Sequence, residues 1–212
     1  MTAGDGSFME ETLENIQRQK RGIKKVDCET GHRHRAVVIW LTGLPCSGKT
    51  TIANEIKKRL FQAGAQIVVF DGDIIRKGLN KDLGFSAEDR SENIRRIGEV
   101  AKLFTGAGFI VVTAFISPYR KDRDQVRILF DDGDFIEVYL KADIEICKRR
   151  DVKGLYKKAM DGKIPDFTGI SAPYEEPLHP EIIVNTDKLS VAESINKIIS
   201  YLAVRKIIKS TQ

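Results

Sequence analysis

The sequence predicts a three-layer α/β fold, in which a mainly parallel central sheet carries helices on both faces. Three observations predict it. Several short segments are apolar without interruption, as strands buried on both faces must be. Amphipathic helical patterns alternate with those segments, which calls for crossover connections between parallel strands. A glycine-rich turn separates the first apolar run from the first such helix.

Ala36–Thr42 (AVVIWLT) opens the sheet. Thr50–Gln62 follows as a helix with Ile52, Ile56 and Leu60 on one stripe. Further strands are expected at Gln66–Phe70 (QIVVF), Phe109–Phe115 (FIVVTAF), Phe135–Leu140 (FIEVYL) and Glu181–Val184 (EIIV). Ser86 with Asp89 signals the start of a helix carrying Ile94, Ile97, Ala101 and Phe104. Ser190 with Glu193 starts another, with Val191, Ile195, Ile198, Ile199 and Leu202. Asp151–Pro180 is expected to be irregular, because it holds four of the six prolines, and a loop of that length in a compact domain is usually functional or disordered. Residues 1–34 are set apart as an N-terminal segment, in which Met9, Leu13 and Ile16 have the spacing of a short amphipathic helix, and the domain proper is expected to span 35–208.

The 212 residues suit one domain around one core. No apolar run is long enough to cross a bilayer, and Met1–Ser7 lacks the apolar stretch of a signal peptide, so a cytoplasmic location without a membrane partner is expected. The net charge of +5 does not point to nucleic acid, since the densest basic stretch, Arg18–Lys25, is short and has no interleaved aromatics. Cys28, Cys46 and Cys147 are too scattered for a disulfide framework and suit a reducing compartment. Cys28, His32 and His34 lack a fourth ligand nearby, so that stretch is read as a polar lead-in to the first core strand rather than as a zinc site.

Gly43, Leu44, Pro45, Cys46, Ser47, Gly48, Lys49 and Thr50 match G-x-x-x-x-G-K-[ST] in full, between a buried strand and an amphipathic helix. Glycines let successive N–H groups turn inward around anionic oxygens, and the helix N-terminus adds partial positive charge. Lys49 is expected to reach the β- and γ-phosphates, and the Thr50 hydroxyl to ligate Mg²⁺. Thr51 belongs to the same ATP-binding set. Converging amides could lower the Cys46 thiol pKa, though a small filler is the plainer reading.

Asp71-Gly72-Asp73 follows the second strand directly, where ligands of an open parallel sheet bind. Two carboxylates there can hold Mg²⁺ through water and accept the proton of an attacking hydroxyl. Asp73 is the first candidate for both roles and Asp71 the second, and with Lys49 they form the expected catalytic set. Arg76, Arg90, Arg95, Arg96, Arg120 and Arg123 then accumulate, and an arginine fork suits phosphate and sulfate oxygens. Arg95, Arg96 and Arg123 are read instead as solvent-exposed ion pairs.

The run Asp71–Ala101 (DGDIIRKGLNKDLGFSAEDRSENIRRIGEVA) resembles adenylyl-sulfate kinases almost residue for residue. So do Ala114–Arg120 (AFISPYR), Arg150–Ala159 (RDVKGLYKKA) and Phe167–Glu175 (FTGISAPYE), in collinear order over about residues 30–190. The resemblance implies a P-loop NTPase-type fold with a lid at about 151–178. It also implies transfer of the ATP γ-phosphoryl group to the 3′-hydroxyl of adenylyl sulfate, giving 3′-phosphoadenylyl sulfate and ADP in sulfate assimilation. By the same likeness, Arg76, Arg90 and Asn93 would bind the acceptor's phosphosulfate and ribose region, and Phe85 and Phe167 would sandwich its adenine. Ile116 and Ser117 would line the acceptor site, Lys153 and Leu155 would belong to a lid that excludes water, and Arg150 would contact the adenine of ATP. A homodimer is implied, and association with a sulfurylase is compatible with it. The chain departs from the family at Pro45, Cys46 and Ile74, positions that bear on loop rigidity and nucleotide affinity. Ser117 is not assigned a covalent role, because in-line transfer needs no phosphoenzyme.

Two other readings stand beside this one. A kinase for another small hydroxyl compound is open to the same fold, although paired aromatics at Phe85 and Phe167 favour a planar base. A regulatory module without turnover would not need Lys49, Thr50 and Asp73 together.

Overall fold

The computed structural model describes residues 22–209. The amphipathic pattern at Met9, Leu13 and Ile16 lies outside those residues. The strands are β1 (Val38–Thr42), β2 (Ile67–Asp71), β3 (Ile110–Ala114), β4 (Phe135–Lys141) and β5 (Ile182–Asn185). The helices are α1 (Lys25–His32), α2 (Lys49–Gln62), α3 (Gly72–Ile75), α4 (Ala87–Gly106), α5 (Arg120–Arg127), α6 (Ile144–Arg149), α7 (Leu155–Met160) and α8 (Val191–Val204). All strand pairs are parallel, in the order β2-β3-β1-β4-β5. Leu41 of β1 lies level with Ala114 of β3 and Val138 of β4.

Successive side chains of a strand point to opposite faces, and here each face finds its own helices. Ile39 and Leu41 pack with Ile52 and Ile56 of α2 and with Ile195 and Ile198 of α8. Val38 and Trp40 pack on the other side with Ile94, Ile97 and Ala101 of α4 and Val126 of α5. Burial on both faces is why β1 is apolar from Val38 to Leu41, and each enclosed Ile or Leu contributes roughly 1.5–3 kcal/mol. The helix starts are fixed as the spacing predicts. Ser86 Oγ accepts from Asp89 N at 3.1 Å. Ser190 and Glu193 close a reciprocal box of 3.2 and 2.8 Å bonds.

Besides the short helices α3, α5 and α6, which the sequence did not mark, two elements and one side chain differ from expectation. The polar lead-in is the helix α1, which buries no side chain and is held by polar contacts instead: Glu29 accepts from Ala36 N at 2.7 Å, and His32 Nδ1 lies 3.0 Å from Gly108 O. His34 follows it, with Nε2 accepting from Gln66 N at 3.0 Å. The stretch read as irregular contains α7, started by Asp151 Oδ2 accepting from Tyr156 N at 2.6 Å, with Tyr156 and Ala159 buried against Cys147 and Phe167. Arg123 is not a solvent-exposed pair. Only 2% exposed, it donates to Glu137 Oε1 at 2.7 Å, because β4 carries a carboxylate into the interior and a buried charge needs a partner. Arg127 joins Glu137 to Glu181 at 3.2 and 2.6 Å, extending the pair into a chain of four charges. Arg95 and Arg96 pair at the surface with Glu92 and Asp82 as expected. Among the described residues, no helix is long and apolar enough to cross a membrane.

Candidate active site

From β1 the chain passes to β2 on one side, and from β3 it passes to β4 on the other. The neighbouring ends of β1 and β3 therefore form the switch point at which ligands of such sheets bind. Gly43–Thr50 leaves the end of β1, and Ile116 and Ser117 follow the end of β3.

The loop after β1 is held by its own residues and by three neighbours. Gly43 has φ +154°, and a Cβ there would stand 2.6 Å from the Leu140 carbonyl oxygen, so only glycine fits. Lys49 Nζ donates to the carbonyls of Gly43 (2.9 Å) and Leu44 (2.6 Å). Burial among these groups lowers its pKa to about 8. Thr186 Oγ1 donates to Ser47 O at 2.9 Å, and Arg150 in turn donates to Thr186 O at 2.6 Å. The Tyr156 hydroxyl donates to Pro45 O at 3.0 Å, tying α7 to the loop. Of the two readings of Cys46, the filler is the one its surroundings favour over an activated thiol: burial, then the Asp151 carboxylate, push the thiol pKa up, with Sγ 3.9 Å from Asp151 Oδ1.

The carboxylates meet this loop from β2. Thr50 Oγ1 donates to Asp71 Oδ2 at 2.7 Å, and Asp71 Oδ1 accepts from Asp73 N at 2.9 Å. Both Asp71 oxygens are thus engaged. Asp73 Oδ2 accepts from Lys153 Nζ at 2.5 Å, and that bond raises the Lys153 pKa. A hydroxyl beside two carboxylates is a set of hard oxygen donors, which fits Mg²⁺.

A second cluster follows. The Arg76 guanidinium lies 4.5 Å from the centre of the Phe85 ring and donates to Gly84 O at 2.8 Å. Arg90 Nε donates to Phe85 O at 2.9 Å and its Nη2 to Asp166 O at 2.8 Å, so one side chain stitches together the segments that carry Phe85 and Phe167. Phe85 is 58% exposed, whereas Phe167 is buried edge-on against Tyr156. Asn93 is buried, and its Oδ1 accepts from Asn80 Nδ2 at 2.9 Å.

The remaining expected residues lie around these groups. Ile116 O accepts from Thr42 Oγ1 at 2.8 Å. Ser117, at φ +41°, turns its hydroxyl into the core, where it accepts from Trp40 Nε1 at 3.1 Å. Arg123 donates to the Ser117 carbonyl at 2.5 Å. Leu155 packs with the Cys147 and Tyr156 cluster. Thr51 is exposed at the start of α2, and Ile74 is exposed on α3. Sequence reasoning missed Thr186, Asp151, Asn80 and the role of Arg123. Thr186 alone had a signal, since it lies two residues beyond the expected strand Glu181–Val184, at its carboxyl end.

A family model described as adenylylsulphate kinase matches residues 35–185. An adenylyl-sulfate kinase of Staphylococcus haemolyticus is 55% identical over 194 residues, covering 92% of this chain and 98% of its own length. One from Bacillus velezensis is 53% identical over 191 residues, covering 90% and 97%. The solved structure of the Mycobacterium tuberculosis APS kinase CysC in complex with AMPPNP and APS aligns with a TM-score of 0.76 at 40% identity, over 80% of this chain and 98% of that one.

Proposed function

The chain belongs to the adenylyl-sulfate kinase family, and on that premise we propose that it transfers the γ-phosphoryl group of ATP to the 3′-hydroxyl of adenylyl sulfate, yielding 3′-phosphoadenylyl sulfate and ADP for sulfate assimilation. The observation that carries this reading is the Thr50–Asp71 bond, which joins the phosphate loop to the carboxylate that ends β2, two residues before Asp73. The acceptor oxygen bonds to the γ-phosphorus as the bond to the β–γ bridging oxygen breaks, and ADP departs with that electron pair.

Asp73 is the carboxylate suited to take the hydroxyl proton. Its side chain is exposed and its partner Lys153 can move, whereas Asp71 is committed on both oxygens. Lys49 exchanges the Gly43 and Leu44 carbonyls for β- and γ-phosphate oxygens. Thr50, and Asp73 through water, would hold Mg²⁺, which supplies charge neutralisation at those phosphate oxygens. On the acceptor, Arg76, Arg90 and Asn93 serve the phosphosulfate and ribose region, Phe85 and Phe167 the adenine, and Ile116 and Ser117 the side nearest the transferred group. Arg150 serves the adenine of ATP. Lys153 and Leu155 belong to a lid at about 151–178 within a kinase unit of residues 35–208. We extend the reading to a cytoplasmic homodimer able to work beside a sulfurylase.

The test is ADP release from Mg·ATP with adenylyl sulfate, with adenosine monophosphate as control acceptor. Stimulation by adenylyl sulfate alone, with a 3′-phosphorylated product, supports the reading. Measurable ATP binding without stimulation overturns the acceptor.

A further inference from the structure

Asn80 is fully buried, and the carbonyl end of its side chain finds no partner among the described residues. Buried polar groups are nearly always paired, so an amide kept with half its capacity unmet calls for a reason. A leucine would fill similar space with no stranded acceptor. The side chain is also held in place by its backbone: Asn80 N donates to Ile75 O at 3.1 Å, and Asn80 O accepts from Leu83 N at 3.2 Å. Arg76 closes the same turn from outside through Leu83 O and Gly84 O.

What Asn80 does with its other end is donate to Asn93 Oδ1. Asn93 lies on α4 three residues after Arg90, so the two share one helix face. A primary amide has an acceptor at one end and donors at the other. With Oδ1 taken by Asn80, Nδ2 is the end left for a ligand. The reverse orientation would show a carbonyl oxygen to an anion and repel it. We propose that Asn80 is a positioning residue: by donating to Asn93 Oδ1, it presents the Asn93 Nδ2 as a hydrogen-bond donor to the anionic part of the acceptor. The inference rests on the reading of Asn93 as an acceptor-binding residue.

Steady-state kinetics on Asn80→Leu, Asn93→Ala and the double variant test it, with melting temperatures measured alongside. Asn80→Leu should raise the KM for adenylyl sulfate by about tenfold, the loss of one well-placed hydrogen bond to a charged group, while the KM for ATP stays within about twofold. Asn93→Ala should give a rise of similar size. The double variant should be no worse than the poorer single one, because Asn80 acts only through Asn93. If Asn80→Leu does not fold, Asn80→Ala removes the same donor and carries the same test. Multiplying effects in the double variant would overturn the proposal. So would an Asn80 variant that leaves the acceptor KM unchanged, or that raises both KM values together with a lowered melting temperature. In those cases an effect of Asn93→Ala leaves the acceptor site itself standing. Absence of any effect from Asn93→Ala sinks the reading of Asn93, and the proposal with it.

Discussion

Lys153 Nζ rests 2.5 Å from Asp73 Oδ2, so a single ion pair joins the segment before α7 to α3, the short helix after β2. Both side chains are more than two-thirds exposed, and such pairs are worth at most about 1 kcal/mol. The contact is therefore easily exchanged for a substrate. Asp73→Asn is expected to lower turnover by at least about 100-fold, while ATP affinity changes by no more than about threefold. ADP release and equilibrium nucleotide binding separate the two effects. Near-normal turnover would remove Asp73 from the mechanism.

Lys49 gives a pH signature. Burial lowers its pKa to about 8 in the free loop, and phosphate oxygens restore the charged form. The free protein has given up part of a proton at pH 8 that the complex takes back, so affinity should weaken as pH rises through that value. Linkage predicts uptake of about half a proton per Mg·ATP at pH 8 and about a tenth at pH 7. Calorimetry in buffers of different ionisation heat measures this directly. Zero uptake at pH 8 would mean that the free lysine is already fully charged.

The raised thiol of Cys46 predicts low reactivity. At pH 7.5 it should be alkylated more slowly than free glutathione, because the thiolate is the reactive form. An ATP analogue should slow it further by covering the loop. Labelling as fast as glutathione, or equal with and without nucleotide, would contradict the surroundings described for Cys46.

Gly108 offers a stability test away from the chemistry. It has φ +87°, and an added Cβ would lie 2.4 Å from Cys28 Cβ on α1. Gly108→Ala should cost about 2–4 kcal/mol through backbone strain and overpacking, with kinetic constants unchanged below the melting range. Chemical denaturation measures the first and ADP release the second. An unchanged denaturation midpoint would show that α1 yields freely.

The five strands and the starts of α4 and α8 were legible because uninterrupted apolar runs and capping residues leave local marks in the chain. The phosphate loop and Asp71-Gly72-Asp73 were legible as well, since a motif and its flanking elements lie side by side in sequence. α1 was not, because it is held by contacts from Glu29 and His32 rather than by an apolar stripe. Arg123 was misread for a related reason. Its partner Glu137 is 14 residues away, and nothing local in an arginine's neighbourhood reports whether its partner lies inside the core. Thr186 and Asn80 act through residues distant in the chain or through a folded turn, so their roles appear only once the strands are aligned.

The chain of Arg123, Glu137, Arg127 and Glu181 holds two positive and two negative charges, and so largely cancels at a distance. What an approaching polyanion feels near the sheet's end comes instead from Lys49, Arg76, Arg90 and Lys153, set against Asp71 and Asp73. Ionic strength acts unequally on these two groups. At about 0.15 M salt the screening length is roughly 8 Å, which weakens attraction across open solvent but barely reaches pairs inside the protein. Capture of substrate should therefore be salt-sensitive while the scaffold behind Ser117 is not, and a brine-treated sample would bind poorly without unfolding.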